Sequence, residues 1–422
     1  MRMIATLAFA LLATATSANS LGAQTPPPAE RVTLAKALER FARGGLAVRI
    51  ARAEARASAE RARQDAAWPN PVAAASREEL SAGGEDHSET QVTLAQPLVW
   101  PWRQSARGAE ADAHVMEAEA GFRSDSAAAG LEVARAWLAA WETERTLAAV
   151  LAATEVFREA DRAGTARHEE GDLSGFDLRR LRVERARYEG ELAAARLALG
   201  TAWRRLATLI APDGPEGEIA AADADLEVPP PTTLEAALAL SRERRPEIAA
   251  ADAAVEAARA RFAGARGDRI PVPGLEIGWK DQSDGFEGPV LGLSIALPLF
   301  DRRGAAVAAA AAELDAASAR SRLVRRRVED EVRIAVERQA ALLERARLQD
   351  DRLLDGADDL LEIAQVSYDA GEISLIELLD AAGAWRYARV TRAELAADLV
   401  ESEHELRRAV GGSIEPAGEV RP

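Results

Sequence analysis

Leu291, Leu293, Ile295 and Leu297 alternate with Gly292, Ser294, Ala296 and Pro298. That period of two is the signature of a strand with one apolar face. Val92 and Leu94 repeat it, as do Leu275, Ile277 and Trp279, so two pairs of extended runs are expected. The runs PVAAASREEL and its successor bracket SAGGEDHS, and the later pair brackets QSDGFE; Gly and acids suit both loops to hairpin tips. Elsewhere the pattern is helical. Two Ala- and Arg-rich spans, 100–168 and 302–369, continue without an internal Pro break. At 1.5 Å per residue each would reach about 100 Å, a length that suits a coiled coil or a tube rather than a globule.

The same order of elements occurs twice. Thr33-Leu34 matches Thr233-Leu234, Gln96-Pro97-Leu98 matches Leu297-Pro298-Leu299, and Gly171 matches Gly371, at shifts of 200 or 201. Copy one, 32–211, is predicted to hold helices 33–43 and 46–67, strands 71–80 and 89–98, a long helix 100–168, a tip 169–175 and a return helix 176–211. Copy two, 232–411, repeats this with helices 233–244 and 246–267, strands 272–281 and 289–298, long helix 302–369, tip 370–374 and return helix 375–410. Each return helix and the second helix of its copy together nearly equal the long one, so they can stack end to end beside it. A Pro-rich equatorial linker, 212–231, joins the copies; 24–31 and 412–422 are expected to be flexible.

Composition narrows the setting. A net charge of −16 over 422 residues disfavours a nucleic-acid partner. Residues 1–23 carry Arg2, an apolar run and small residues near Ala23, as expected of a secretory signal peptide. The absence of Cys removes disulfides and a lipidated cysteine. Four scattered His and no Cys offer no metal-ligand spacing, no cofactor is implied, and no nucleophile elbow or phosphate loop suggests an enzyme.

No segment is long and apolar enough for a membrane helix, which leaves an exported helical protein or a β-strand membrane protein. Four strands of about ten residues could cross a bilayer only if their edges were paired. Closure with identical chains is therefore expected; twelve strands from a homotrimer would give a solute-sized pore. Trp68, Trp100, Trp102 and Phe300 fall where strands meet helices, as membrane-interface aromatics would, although core packing at domain corners is the plainer alternative.

The chain resembles the TolC-type outer-membrane efflux proteins over nearly its whole length after the signal. The resemblance rests on Pro246-Glu247-Ile248, QPLVWPWRQSARGAEAD (96–112), GLSIALPLFDRRGA (292–305) and YDAGEISLIELLDA (368–381). Its details look closest to the heavy-metal (CzcC-like) branch, with drug-efflux ducts as the alternative. The resemblance implies a mainly α fold with a transmembrane β-hairpin pair. Three chains would build a 12-stranded barrel in the outer membrane, continuous with an α-helical barrel across the periplasm. It also implies a periplasmic adaptor and a proton-driven inner-membrane pump as partners. A soluble periplasmic coiled-coil scaffold is the competing class.

By the same resemblance, Glu377, Asp380, Asp177 and Arg180 match positions that constrict the tunnel, and Tyr368, grouped with that constriction, matches a tip residue that helps hold the closed state. Gly171, Asp172, Gly371 and Glu372 would present the tips to the adaptor. The i, i+3 spacing puts Glu377 with Asp380, and Asp177 with Arg180, on one helix face. The milder reading makes the acids first-turn helix residues behind the caps Ser174 and Ser374.

Overall fold

The computed structural model describes residues 30–83, 85–211, 214, 219–222, 230–349 and 352–412. The expected signal peptide, residues 24–29, most of the 212–231 linker and the tail beyond Gly412 lie outside the described residues.

Copy one comprises β1 (Glu30–Val32), α1 (Leu34–Gly44), α2 (Leu46–Asp65), β2 (Val72–Ala82), β3 (Glu85–Pro97), α3 (Pro101–Glu170) and α4 (Gly175–Ile210). The linker holds β4 (Ile219–Ala221), and copy two comprises α5 (Leu234–Arg244), α6 (Pro246–Gly267), β5 (Pro273–Gln282), β6 (Glu287–Ile295), α7 (Gly304–Leu348), α8 (Arg352–Asp369) and α9 (Leu375–Ala409). Thr33 and Thr233 cap α1 and α5 alike, accepting from the backbone N–H three residues on at 3.2 and 3.4 Å. Pro stands at the first turn of α3 and of α6, where a missing N–H costs nothing.

A four-stranded antiparallel sheet in the order β2-β3-β5-β6 lies at one end of the helices. The helix α3 runs beside α2 and α6 toward the sheet, and beside α4 and α9 toward the tips. One core surrounds Trp137, Phe41, Val32 and Ile219 near mid-length. A second, near the tips, joins Phe157 of α3, Leu181 and Tyr188 of α4, Leu361 of α8 and Leu378 of α9. That shared core locks the two helical hairpins together.

Several boundaries differ from expectation. Strand pairing enters the loop expected over 81–88, because the ladder extends to Ala82↔Glu85. Gly83 has φ +63, the left-handed geometry that so tight a hairpin requires. At the other end β6 stops at Ile295, short of Pro298, which has no N–H for a ladder.

Two expectations are corrected. Residues 30 and 31, assigned to a flexible segment, pair together with Val32 in parallel with Ile219–Ala221 inside the expected linker. All three linker residues are buried, and Trp137 Nε1 donates to the Val32 carbonyl at 2.6 Å. A three-residue apolar run thus covers an indole that would otherwise meet water. The helix expected over 302–369 is two helices: α7 ends at Leu348, Gln349 leaves helical geometry, and α8 starts at Arg352. The shift of 200 sets Gln349-Asp350-Asp351 where copy one has Ala149-Val150-Leu151, with Ala149 and Val150 buried. Weaker helix formers replace a packed apolar step there.

Candidate functional site

The sheet has two chemically distinct faces. Register aligns Leu94, Ile277 and Leu291 across three strands, and Val92 with Trp279 beside them. Leu275 and Leu293 extend the same face, and every one of these side chains is exposed. The opposite face carries Glu89, Gln91, Glu276, Lys280 and Ser294. There Lys280 Nζ meets Glu89 at 2.5 Å, and Gln282 donates to the same carboxylate at 2.8 Å. An apolar outside and a polar inside are what a strand wall between lipid and water needs. Both edges, β2 and β6, lack a neighbour among the described residues.

At the junction of sheet and helices, Trp100 and Trp102 stack with centroids 5.0 Å apart. Trp100 Nε1 donates to the Pro271 carbonyl at 2.9 Å, while Trp102 stays exposed. Trp68 is exposed and Phe300 wholly so. Two of the four aromatics expected at a membrane interface are therefore pinned to the fold, and Trp68 and Phe300 stand free of it.

At the far end the two tips share one geometry. Gly171 and Gly371 take φ +89 and +76. Asp172 N–H donates to the Arg167 carbonyl, and Glu372 N–H to the Ser367 carbonyl, both at 2.8 Å. Each turn thus closes its helix through a left-handed glycine that an L side chain would strain. Ser174 then caps α4 by accepting from Asp177 N–H at 3.1 Å, and Ser374 caps α9 by accepting from Glu377 N–H at 3.4 Å. In the second tip the Glu377 carboxylate also accepts from Ser374 N–H at 2.7 Å, completing a capping box. The Ser374 backbone and hydroxyl donors hold the Glu377 carboxyl below the usual carboxylate range.

Glu377 and Asp380 are exposed one turn apart, and Asp177 and Arg180 are half-buried on α4. Gly171, Asp172, Gly371 and Glu372 are all exposed at the tips. Tyr368 is a correction. Expected at the constriction, it is 2% exposed and belongs to the core between the hairpins. Burial pushes its phenol up, and its hydroxyl has no hydrogen-bond partner.

Two residues at this end were not anticipated. Arg167 of the first hairpin donates to the Tyr368 carbonyl at 3.2 Å and lies over its ring, 5.6 Å from the centroid. Asp161, 8% exposed, accepts from Arg185 at 2.6 Å and Arg182 at 3.4 Å, tying α3 to α4. Arg and Asp are so common on these helices that composition gave no sign of either link. Outward, α4 exposes Phe176, Val183 and Leu197 at heptad multiples, and α8 exposes Ile363 and Val366.

Residues 237–412 match the family model described as outer membrane efflux protein. The chain is also 26% identical over 335 residues to the cobalt-zinc-cadmium resistance protein CzcC of Cupriavidus metallidurans, with 76% of each chain covered. Both likenesses point to outer-membrane efflux proteins, the first through the second copy alone and the second over most of the chain. Solved structures agree on the fold. The outer-membrane channel OprN superposes with a TM-score of 0.77 at 20% identity, covering 91% of each chain. VceC of Vibrio cholerae gives 0.75 at 19% identity, over 90% of this chain and 97% of that one. CusC gives 0.73 at 18%, over 93% and 96%.

Proposed function

We propose that this chain is an outer-membrane efflux protein acting as a passive exit duct: three copies close their sheets into a 12-stranded outer-membrane barrel and their helices into a tunnel across the periplasm. The carrying observation is the sheet itself, with one exposed apolar face, one polar face and two open edges. Unpaired edge groups would each cost several kcal/mol in hydrocarbon, so identical neighbours supply the missing partners. The exposed stripes on α4 and α8 give those neighbours apolar seams along the helical part. At 70 residues α3 reaches about 105 Å, enough to leave the membrane far behind. A soluble scaffold has no use for the apolar strand face.

The duct performs no chemistry. Its substrate is delivered by a proton-driven inner-membrane pump through a periplasmic adaptor, which docks at the exposed tip turns around Gly171, Asp172, Gly371 and Glu372. Heavy-metal cations are the proposed cargo, on the strength of the CzcC likeness. In a trimer Glu377 and Asp380 form two rings of three carboxylates, which favour cations over anions at short range. Asp177 and Arg180 flank them on α4; Tyr368 acts from the core, by holding the hairpins together.

Planar-bilayer recordings test this. The double variant Glu377→Ala with Asp380→Ala is expected to raise leak conductance and lower the cation preference. Unchanged current and selectivity would remove the carboxylates from the constriction. Growth of a deletion strain on cobalt, zinc or cadmium, against organic dyes, tests the cargo: complementation restricted to dyes would overturn the metal reading.

A further inference from the structure

Midway along the molecule, α3, the start of α6 and the end of α9 enclose a pocket of about 180 Å³. It is smaller than the roughly 300–1,000 Å³ clefts that take drug-sized ligands. Phe122, Ala127 and Pro246 supply an apolar lining, and Arg123, Arg244 and Arg408 stand around it. Arg245, 3% exposed, belongs to the frame. It donates to Glu247 at 2.6 Å and to the Arg408 and Ala409 carbonyls at 3.2 and 3.0 Å, and it also pairs with Glu331.

Burial alone would raise the Glu247 carboxyl, but the hydrogen bond and charge of Arg245 hold it below the usual range. Glu247 therefore stays ionised; with Glu331 it answers Arg245, and its other oxygen lies 3.7 Å from the Arg408 guanidinium, which leaves Arg123 and Arg244 as the uncompensated charges. Arg123 and Arg244 have no acidic partner among the described residues. Two buried donors at the pocket are also unmatched: Ser126, 9% exposed, has no partner for its Oγ, and Arg408 has none for its Nε. Buried polar atoms without partners are rare in native proteins. An anion is what such a surplus of donors and positive charge accepts, and the apolar lining asks that it carry a small hydrocarbon body.

We infer that this pocket binds a small carboxylate with a short apolar chain, its head held by Arg123 and Arg244 and its body against Phe122. Guanidinium forks match carboxylates with two parallel hydrogen bonds. Inorganic phosphate would leave the apolar wall bare, and a neutral alcohol would leave the arginines unanswered. The inference stands apart from the duct reading, since the pocket lies in the framework between α6 and α9.

Isothermal titration of the full detergent-solubilised chain with hexanoate tests it, with hexanol and inorganic phosphate as comparisons. Hexanoate is expected to bind more tightly than either. Arg244→Gln and Arg123→Gln, both at exposed side chains, are each expected to weaken it by at least about tenfold. Unchanged helical circular dichroism would establish that the variants fold. No heat from hexanoate, equal binding of hexanol or phosphate, or equal affinity in both variants would each overturn the proposal.

Discussion

The first hairpin leaves the sheet end through one unbroken helix of 70 residues; the second leaves through α7 and α8, of 45 and 18. Their tips share the same glycine turn and a serine cap, so the larger difference lies in what holds each outgoing helix. The first carries Ala149 and Val150 into the core, then Asp161 bonded to two arginines of α4. The second reaches its tip past Gln349-Asp350-Asp351. Its ties to α9 run through Asp358, which accepts from Trp385 at 2.6 Å and pairs with Arg389 on a more exposed surface. A duplicated unit has thus kept its turn and diverged in the continuity of its outgoing helix. An unbroken helix is expected to make the first hairpin the firmer of the two, a difference that hydrogen exchange can test.

That contrast can be broken most forcefully at Asp161. Replacing it with Ala leaves two arginines without their shared acid, and is expected to cost about 2 kcal/mol. The loss should appear as faster amide hydrogen exchange in α3 and α4 around the tip, with α8 and α9 less affected. Equal loosening of both hairpins would mean that they do not differ in stiffness.

The reverse change should sharpen it. Gln349→Ala, Asp350→Val and Asp351→Leu together restore the copy-one residues and are expected to favour a continuous helix by about 1 kcal/mol. Exchange near 345–355 should slow, and openings in bilayer recordings should become rarer. More frequent openings would assign the break some role other than yielding.

The smallest effect concerns the second cap alone. The Glu377 carboxyl lies below its ordinary 4.5 in the folded chain because Ser374 donates to its ionised form. Its contribution is therefore complete above that value and fades as pH falls through the lower, folded one. Exchange at residues 374–378 should rise on acidification in the wild type and respond less in Glu377→Gln. An identical response in both would remove the carboxylate from the cap.

Much of this was legible in the residues. Glycines that need positive φ marked both tips, and strict alternation marked β6, because each reports a local constraint. The first strand, β2, was faint: its Ala and Glu residues carry little β preference, and register with β3 organises it. The β1–β4 pair was invisible, since three-residue strands far apart in sequence leave no period to read. The break after Leu348 was available in the Asp-Asp step but hidden by a rich helical context. Tyr368 was misplaced because a motif tells which turn a residue adjoins, not which side of the helix meets the core.

Mass decides the central claim most directly. Native mass spectrometry of the detergent-solubilised chain, released from its lipid, is expected to give three copies that persist on dilution. A stable single copy, its sheet edges still unpaired, would contradict the account.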